Sequence, residues 1–241
     1  MHKSAFLSAS RFCETYLSEP VPTVVEIGSQ VVEEQLSLRQ AFVGVDSYIG
    51  VDFISGKGVD VVADDPYCLP FEDGIADVVV SSSCFEHAEF FWLSFVEMCR
   101  IAKPDSLIYI SAPSNGRIHR YPVDCWRFYP DSGVALQKWA RRNGYDITLL
   151  ESFTLHQDED VWNDFVAVFA KGKYAAEGFV PRMLYGLTEF TNGIVNTGPN
   201  LLNATSMSED MARRLAAAQV SSGAMALTWP SAIEGGAEVS L

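Results

Sequence analysis

Apolar residues along this chain alternate between short β-branched runs and longer stretches with helical spacing. The short runs predict seven strands, at residues 23–27, 48–53, 59–63, 75–81, 107–112, 146–154 and 165–170. The longer stretches predict helices over residues 1–20, 31–42 and 89–102, and from 130 to just before Gly144. This alternation is typical of an α/β fold with a mostly parallel sheet and helices on both faces. No helix separates the last two strands, so we expect the last strand to be antiparallel.

The pattern changes after about residue 173. Residues 174–241 are rich in Gly, Asn and Thr, which predicts an extension that covers a site or pairs two protomers. Within it, Ser206 and Glu209 have the spacing of a capping box and predict one short helix, and the last dozen residues have the composition of a disordered tail. We therefore expect an N-terminal helical segment over 1–22, an α/β domain over 23–173 and a C-terminal extension over 174–241.

Composition narrows the class of protein and of partner. Of the 241 residues, 48% are hydrophobic and 20% are charged, which is typical of a globular protein. No apolar run reaches the ~18–20 residues needed to span a bilayer. The five cysteines include no C-x-x-C pair and are expected to be free thiols. The formal net charge of −14 opposes binding to phosphate backbones. We expect a cytoplasmic protein without a nucleic-acid or membrane partner.

Glu26-Ile-Gly28 lies at the end of the first predicted strand, where open α/β sheets bind their ligands. The glycine lets backbone approach a ligand closely. The acidic side chain suits a cationic ligand group rather than a pyrophosphate. Ser29 and the two residues after it stand where dinucleotide-binding loops have further glycines. An ordinary strand end therefore explains this spacing as well as a cofactor loop does.

Three further carboxylates lie at or just after the ends of predicted strands. Asp52 comes 26 positions after Glu26, where an acidic residue can bind both hydroxyls of a ribose. Asp46 ends a near copy of the same motif and is a rival, and loop capping is an alternative role for Asp52. Asp64 and Asp65 follow the third strand, where a carboxylate can accept the exocyclic amine of adenine.

Taken in order, these motifs resemble those of the class I S-adenosylmethionine (SAM)-dependent methyltransferases. Four further pieces carry the resemblance: Leu69-Pro-Phe, Asp77-Val-Val-Val, Glu86-His87 and Arg100-Ile-Ala-Lys103-Pro. The resemblance covers residues 23–171 and implies a Rossmann-like fold with SAM as the cofactor. It differs from the common family pattern in the loop after Gly28.

The resemblance also implies roles in cofactor binding. The residues it implicates are Glu26 and Gly28 at the methionine half of SAM, Asp52 at the ribose, Asp64 at the adenine, and the backbone near Ser81–Ser83 at the amino acid moiety. Ser29, Asp65 and Ser83 are further candidate cofactor-binding residues. A small molecule is the expected methyl acceptor.

The loop after the strand at 107–112 is dense in His, Arg, Asp and aromatic residues. From His119 it reads H-x-x-P-x-D-x-W-R-F-x-P, which resembles methyltransferases of glycan and natural-product gene clusters. This implies transfer to a hydroxyl of a saccharide or natural product. His119 is the candidate base because its unperturbed pKa lies near neutrality. Asp124 would orient it or bind a sugar hydroxyl, with pairing to Arg127 as the structural alternative. His87 is the competing catalytic candidate.

The remaining signals leave alternatives open. The run from His156 to residue 160 fits a solvated acidic loop, so the sequence predicts no metal site, and His2 is uninformative. A catalytically silent binding or scaffold protein with the same fold is one rival function, motivated by the altered loop. A NAD(P)-dependent oxidoreductase is another, although it would prefer three glycines. A homodimer is the candidate assembly.

Overall fold

The computed structural model describes residues 2–17, 21, 23–32, 35–157, 161–172 and 175–224. Its strands are β1 (Thr23–Ile27), β2 (Ser47–Asp52), β3 (Val61–Val62), β4 (Ala76–Ser82), β5 (Ala102–Pro113), β6 (Ile147–Leu155), β7 (Asp164–Lys171) and β8 (Phe190–Val195). Its α-helices are α1 (Lys3–Tyr16), α2 (Phe91–Ile101), α3 (Asp131–Arg142), α4 (Ala175–Gly178) and α5 (Glu209–Ser221). Two 3₁₀ helices span Leu38–Ala41 and Met183–Gly186.

The strands form one sheet in the order β3-β2-β1-β4-β5-β7-β6-β8. β1 pairs in parallel with both β2 and β4, and β7 is antiparallel to β5 and β6. The predicted mixed sheet with a reversed β7 is therefore confirmed. Because β1, β2 and β4 are parallel, their carboxyl ends meet at one edge of the sheet.

Apolar side chains cover both faces of the sheet. Ile108 and Tyr109 are neighbours on β5 and point to opposite faces. On the face of Ile108, Phe95 and Met98 of α2 pack in the core, together with residues of α3. On the face of Tyr109, Phe12 of α1 is fully buried. The predicted helices α1, α2 and α3 are thus confirmed, and they cover the sheet from both sides.

The predicted helix over 31–42 is wrong. In its place the described residues form irregular backbone and one short 3₁₀ helix, Leu38–Ala41. The N–H groups of Gly28 and Ser29 both donate to Val51 O, at 2.9 and 3.0 Å, and Val31 N donates to Lys57 O at 2.8 Å. These donors are committed to β2 and the loop after it, so the chain does not turn into a helix at this point.

The sheet has eight strands in the described residues instead of the seven predicted, because part of the extension joins it. β8 pairs antiparallel with β6. The buried carboxylate of Glu151 fixes the segment before β8: it accepts hydrogen bonds from Tyr16 Oη (2.6 Å), Met183 N (2.9 Å) and Leu184 N (3.0 Å). A role of the extension as a site cover or protomer interface stays a prediction.

The described residues from Thr205 onward belong to a second compact unit. Its helix α5 confirms the helix predicted from the capping-box spacing, but the N-cap is Ser208, whose Oγ accepts from Met211 N at 3.3 Å. The helix therefore begins at Glu209 rather than after Ser206. The predicted disordered tail lies outside the described residues. Across the part of the chain that the structure describes, no helix combines the length and apolarity required to cross a membrane.

Candidate active site

A cavity of about 770 Å³ lies at the carboxyl ends of β1, β2 and β4. One group of lining residues, here called the strand-end wall, lies at or just after these strand ends: Glu26, Gly28, Ser29, Asp52 and Ser83. A second group, the loop wall, comes from the segments after β4, after β5 and before β7: Glu86, His87, Arg117, His119 and Trp162. Five of the predicted cofactor residues and both predicted catalytic histidines therefore line the same cavity.

Gly28 is required by its backbone and by its surroundings. Its φ of +80° lies in the left-handed region that side chains disfavour. A Cβ at this position would lie 2.5 Å from both Cβ and Sγ of Cys84. The glycine therefore allows β1 to approach the segment after β4, and this close approach is between two parts of the protein.

Glu26 is a buried carboxyl in the strand-end wall, only 5% exposed. It accepts a hydrogen bond from Tyr48 Oη at 2.9 Å. Burial raises the pKa of Glu26 to about 7, because desolvation disfavours the charged form. A cationic ligand group beside this carboxyl would favour its ionised form.

Asp52 lines the cavity and also caps a loop. Its Oδ2 accepts from Gln30 N at 3.0 Å and its Oδ1 from Phe53 N at 2.8 Å. A carboxylate has about four lone-pair sites, so these bonds leave room for further donors. Its rival Asp46 comes just before β2, at the opposite end of the strand, and does not line the cavity.

The other predicted cofactor residues are placed differently from one another. Ser29 is buried, and its Oγ has no hydrogen-bond partner among the described residues. Ser83 has a φ of 51° and donates its N–H to Ser111 O at 3.0 Å. The side chains of Asp64 and Asp65 are exposed and do not line the cavity, whereas their flanking residues do. A contact of these two carboxylates with adenine stays a prediction.

Asp124 supports the loop wall from outside the cavity. Its Oδ2 accepts from the backbone N–H of His119 at 2.8 Å and lies 3.5 Å from His119 Nδ1. Arg127 donates to both carboxylate oxygens, at 2.5 and 2.9 Å. This pairing lowers the pKa of Asp124 to about 2. Asp124 therefore orients His119, and its proposed contact with a sugar hydroxyl would require a rearranged loop.

The aromatic residues of the same loop have different surroundings. Phe128 is buried in the core. Trp126 packs edge-on against Phe91 and Trp92, and its Nε1 donates to Ala88 O at 3.0 Å. Tyr121, in contrast, lines the cavity beside His87 and His119.

Glu86 is the most buried group of the loop wall, at 1% exposure. Its Oε1 lies 3.6 Å from His87 Nε2 and 3.9 Å from His119 Nε2. Burial raises the pKa of Glu86 to about 8 and lowers the pKa of His87. In the sequence Glu86 is recognisable only as part of a motif, without a role of its own, because its burial beside two imidazoles depends on the loop after β5.

His2 and Trp162 are cavity residues that the sequence patterns do not indicate. His2 Nε2 lies 2.8 Å from Asp164 Oδ1, and its ring stacks on Trp162 at 5.8 Å between centroids. The Trp162 ring is 4.9 Å from His119. His2, to which the sequence assigns no role, therefore lies in the cavity lining. His156 pairs instead with Glu189 at 2.9 Å, away from the cavity, and residues 158–160 lie outside the described part.

Three solved structures show the same fold at low sequence identity. The Burkholderia thailandensis 1,6-didemethyltoxoflavin-N1-methyltransferase, with bound 1,6-didemethyltoxoflavin and S-adenosylhomocysteine, is 14% identical over 70% of this chain and 79% of its own, with a TM-score of 0.55. A Haloferax volcanii complex of a methyltransferase with the Trm112 methyltransferase activator is 16% identical over 70% of this chain and 89% of its own, with a TM-score of 0.51. The [4+2]-cyclase SpnF is 10% identical over 69% of this chain and 81% of its own, with a TM-score of 0.50.

A family comparison adds information that the fold alone does not carry. Residues 14–110 match the family described as a methyltransferase domain. No curated protein matches the chain. The matched stretch contains Glu26, Gly28, Asp52 and Ser83, and so holds the whole strand-end wall. Over residues 14–110 this chain is therefore similar to the methyltransferase domain family, and its sheet has the fold of solved methyltransferase structures.

Proposed function

We propose that this protein transfers a methyl group from SAM to a hydroxyl of a small molecule, with a saccharide or natural product as the substrate class. The cavity carries the proposal. Its volume of about 770 Å³ falls in the range of small-molecule sites. Glu26 and Asp52 line it at the strand ends, and His87 and His119 line it from the loops.

The strand-end wall would hold SAM. Glu26 would accept the cationic amino group of the methionine half, and its ionised form would be stabilised there. Asp52 would accept the ribose hydroxyls with the lone pairs that its two backbone hydrogen bonds leave free. SAM has no pyrophosphate, so the loop after Gly28 needs neither a run of glycines nor a helix N-terminus. This agrees with the irregular backbone that replaces the predicted helix.

The loop wall would activate the acceptor. In the transfer, the acceptor oxygen forms a bond to the methyl carbon, the carbon–sulfur bond breaks, and the hydroxyl loses its proton. His119 would assist this proton loss, and its position in the cavity lining beside Asp124 supports this role. His87 donates from Nδ1 to Val123 O at 2.5 Å, which leaves its Nε2 available to accept a proton.

The fold alone does not carry methyl transfer, because the cyclase SpnF shares it. A silent binding protein is therefore the second candidate, and the absence of further glycines after Gly28 favours it. Calorimetric titration of the purified protein with SAM and with S-adenosylhomocysteine separates the two. We expect micromolar binding of both, and no binding of either would contradict the proposed function. Titration with NADH, followed by fluorescence, tests the oxidoreductase alternative in the same samples.

A further inference from the structure

We propose that Glu86, His87 and His119 form a binding site for one divalent transition-metal ion, such as Zn²⁺. Each residue offers one ligand atom, and the three atoms lie within 4.8 Å of one another. Glu86 Oε1 faces Nε2 of both imidazoles, at 3.6 and 3.9 Å. The three residues come from two segments, after β4 and after β5, and all of them line the cavity.

The second nitrogen of each imidazole is directed at an acceptor, as in metal sites. The contact of His87 Nδ1 with Val123 O requires Nδ1 to donate, so the Nε2 lone pair is available. His119 Nδ1 lies 3.3 Å from Arg117 O and 3.5 Å from Asp124 Oδ2, which favours the same tautomer. Histidines that bind metals commonly donate their other N–H to a carbonyl or carboxylate in this way.

Glu86 supplies an independent observation. Its carboxyl is buried, and its Oε2 has no hydrogen-bond partner in the part of the chain that the structure describes. Its backbone carbonyl accepts from Cys125 N at 2.7 Å, which fixes it against the loop wall. Arg127, whose charge acts on Glu86, is already paired with Asp124. Buried polar oxygens are normally satisfied, and a bound cation would satisfy this one.

The donor set selects the class of ion. Two imidazole nitrogens and one carboxylate suit Zn²⁺ and neighbouring transition metals, whereas Mg²⁺ and Ca²⁺ prefer oxygen ligands alone. Bonds to Zn²⁺ are about 2.0–2.2 Å, so small side-chain rotations must bring the three atoms closer. Three protein ligands leave at least one coordination position open toward the cavity.

The role of the ion rests on the proposed function. At the open position it would bind the acceptor oxygen and lower the pKa of the hydroxyl. His119 would then act as a ligand, and the hydroxyl would lose its proton to solvent water while the ion stabilises the resulting oxyanion. An acceptor with two adjacent oxygens, such as a saccharide diol, would suit two open positions.

Metal binding can be tested without an acceptor. We would treat the full-length protein with a chelator, remove the chelator and titrate with Zn²⁺ alone by calorimetry. We expect one ion per chain in the wild type. Affinity should fall at least ~10-fold in Glu86→Gln, His87→Ala and His119→Ala, since each removes a ligand. Co²⁺ in place of Zn²⁺ should give a visible d–d spectrum that the same variants lose.

The matched control is His156→Ala, because His156 is an imidazole that pairs with Glu189 outside the cavity. It should bind Zn²⁺ as the wild type does. Zn²⁺ binding that is absent in the wild type, or equal in all variants, would overturn the site. Circular dichroism establishes that each variant is folded, and Glu86→Gln is the near-isosteric choice.

Titration with SAM in the same samples separates this proposal from the proposed function. SAM binding without Zn²⁺ binding would contradict the metal site alone, and Zn²⁺ binding without SAM binding would contradict the methyltransferase proposal alone.

Discussion

The two walls of the cavity are built in different ways. The strand-end wall is positioned by the register of parallel strands, in which Glu26 lies opposite Gly50 on β2 and Val80 on β4. The loop wall depends on side-chain contacts within and between loops, such as the pairing of Asp124 with Arg127 and the contact of Trp162 with His119. The register of paired strands persists when one side chain is changed, whereas the conformation of a loop held by few contacts does not. We therefore expect the first wall to be robust in geometry and the second to be sensitive to single substitutions.

His119→Ala should give the largest difference between an effect on turnover and an effect on SAM binding. Because His119 is proposed to assist proton loss, as a base or as a metal ligand, its removal should lower kcat by about 100-fold or more. The affinity for SAM should stay within about twofold, since His119 lies on the loop wall. Single-turnover kinetics and SAM titration measure the two effects. A parallel loss of SAM affinity would show that the walls are not separate.

Gly28→Ala should break the strand-end wall through packing. The added Cβ meets Cys84 at 2.5 Å and the residue has a φ of +80°, so we expect a loss of about 2–5 kcal/mol in the free energy of unfolding. Gly144→Ala is the control. Its φ of +88° is similar, but no atom lies within 4 Å of the added Cβ. It should cost about 1 kcal/mol, and urea unfolding compares the two. Equal losses would mean that backbone strain alone, and not contact with Cys84, constrains Gly28.

Asp52→Ala should weaken SAM binding and leave kcat nearly unchanged, which is the reverse of the effect expected for His119→Ala. Loss of the ribose contact should weaken SAM binding by about 10-fold, or about 1.4 kcal/mol. The value of kcat at saturating SAM should change little. Asp46→Ala is the matched control, because Asp46 lies at the other end of β2 and outside the cavity. If the two variants bind SAM equally well, Asp52 serves only as a loop cap.

The smallest predicted effect is a pH dependence of SAM binding. With a pKa of about 7, Glu26 is mostly neutral at pH 6 and mostly ionised at pH 8. A cationic cofactor favours the ionised form, so affinity should rise as the pH increases through 7. The stability of the free protein should have the opposite sign: folded Glu26 holds its proton more tightly than the unfolded chain, so its contribution falls between about pH 4.5 and 7. Glu26→Gln should flatten both profiles, as titration and chemical unfolding would show. Unchanged profiles would contradict this role of Glu26.

The strand-end wall could be predicted from the sequence better than the loop wall, for a physical reason. Strand ends follow from the spacing of apolar runs, so the amino-acid pattern alone places Glu26, Gly28 and Asp52 at one edge of the sheet. Other motif residues proved to support the fold: Lys103 Nζ binds Asp77 at 2.8 and 2.9 Å, which ties β5 to β4. Short-range sequence patterns were sufficient to place Glu26, Gly28 and Asp52 at this edge.

The features that could not be predicted depend on partners far away in the chain. The residues after Gly28 have helical spacing, yet their N–H groups are bound by Val51 and Lys57. The partner of β8 is β6, and a Gly- and Asn-containing strand at a sheet edge has no distinctive alternation. The burial of Glu86 and the cavity position of His2 likewise depend on loops that apolar periodicity does not describe.

The contact of His2 with Asp164 has a consequence for how the molecule is made. The two residues are separated by 162 positions, and the His2 ring stacks on Trp162, which in turn contacts His119. During synthesis on the ribosome, the strand-end wall is complete in sequence once Ser83 has emerged. The loop wall must wait for β7, the strand that carries Asp164 back to the first residues. The half of the cavity proposed to activate the acceptor is therefore the last for which all the contacting residues have been synthesised.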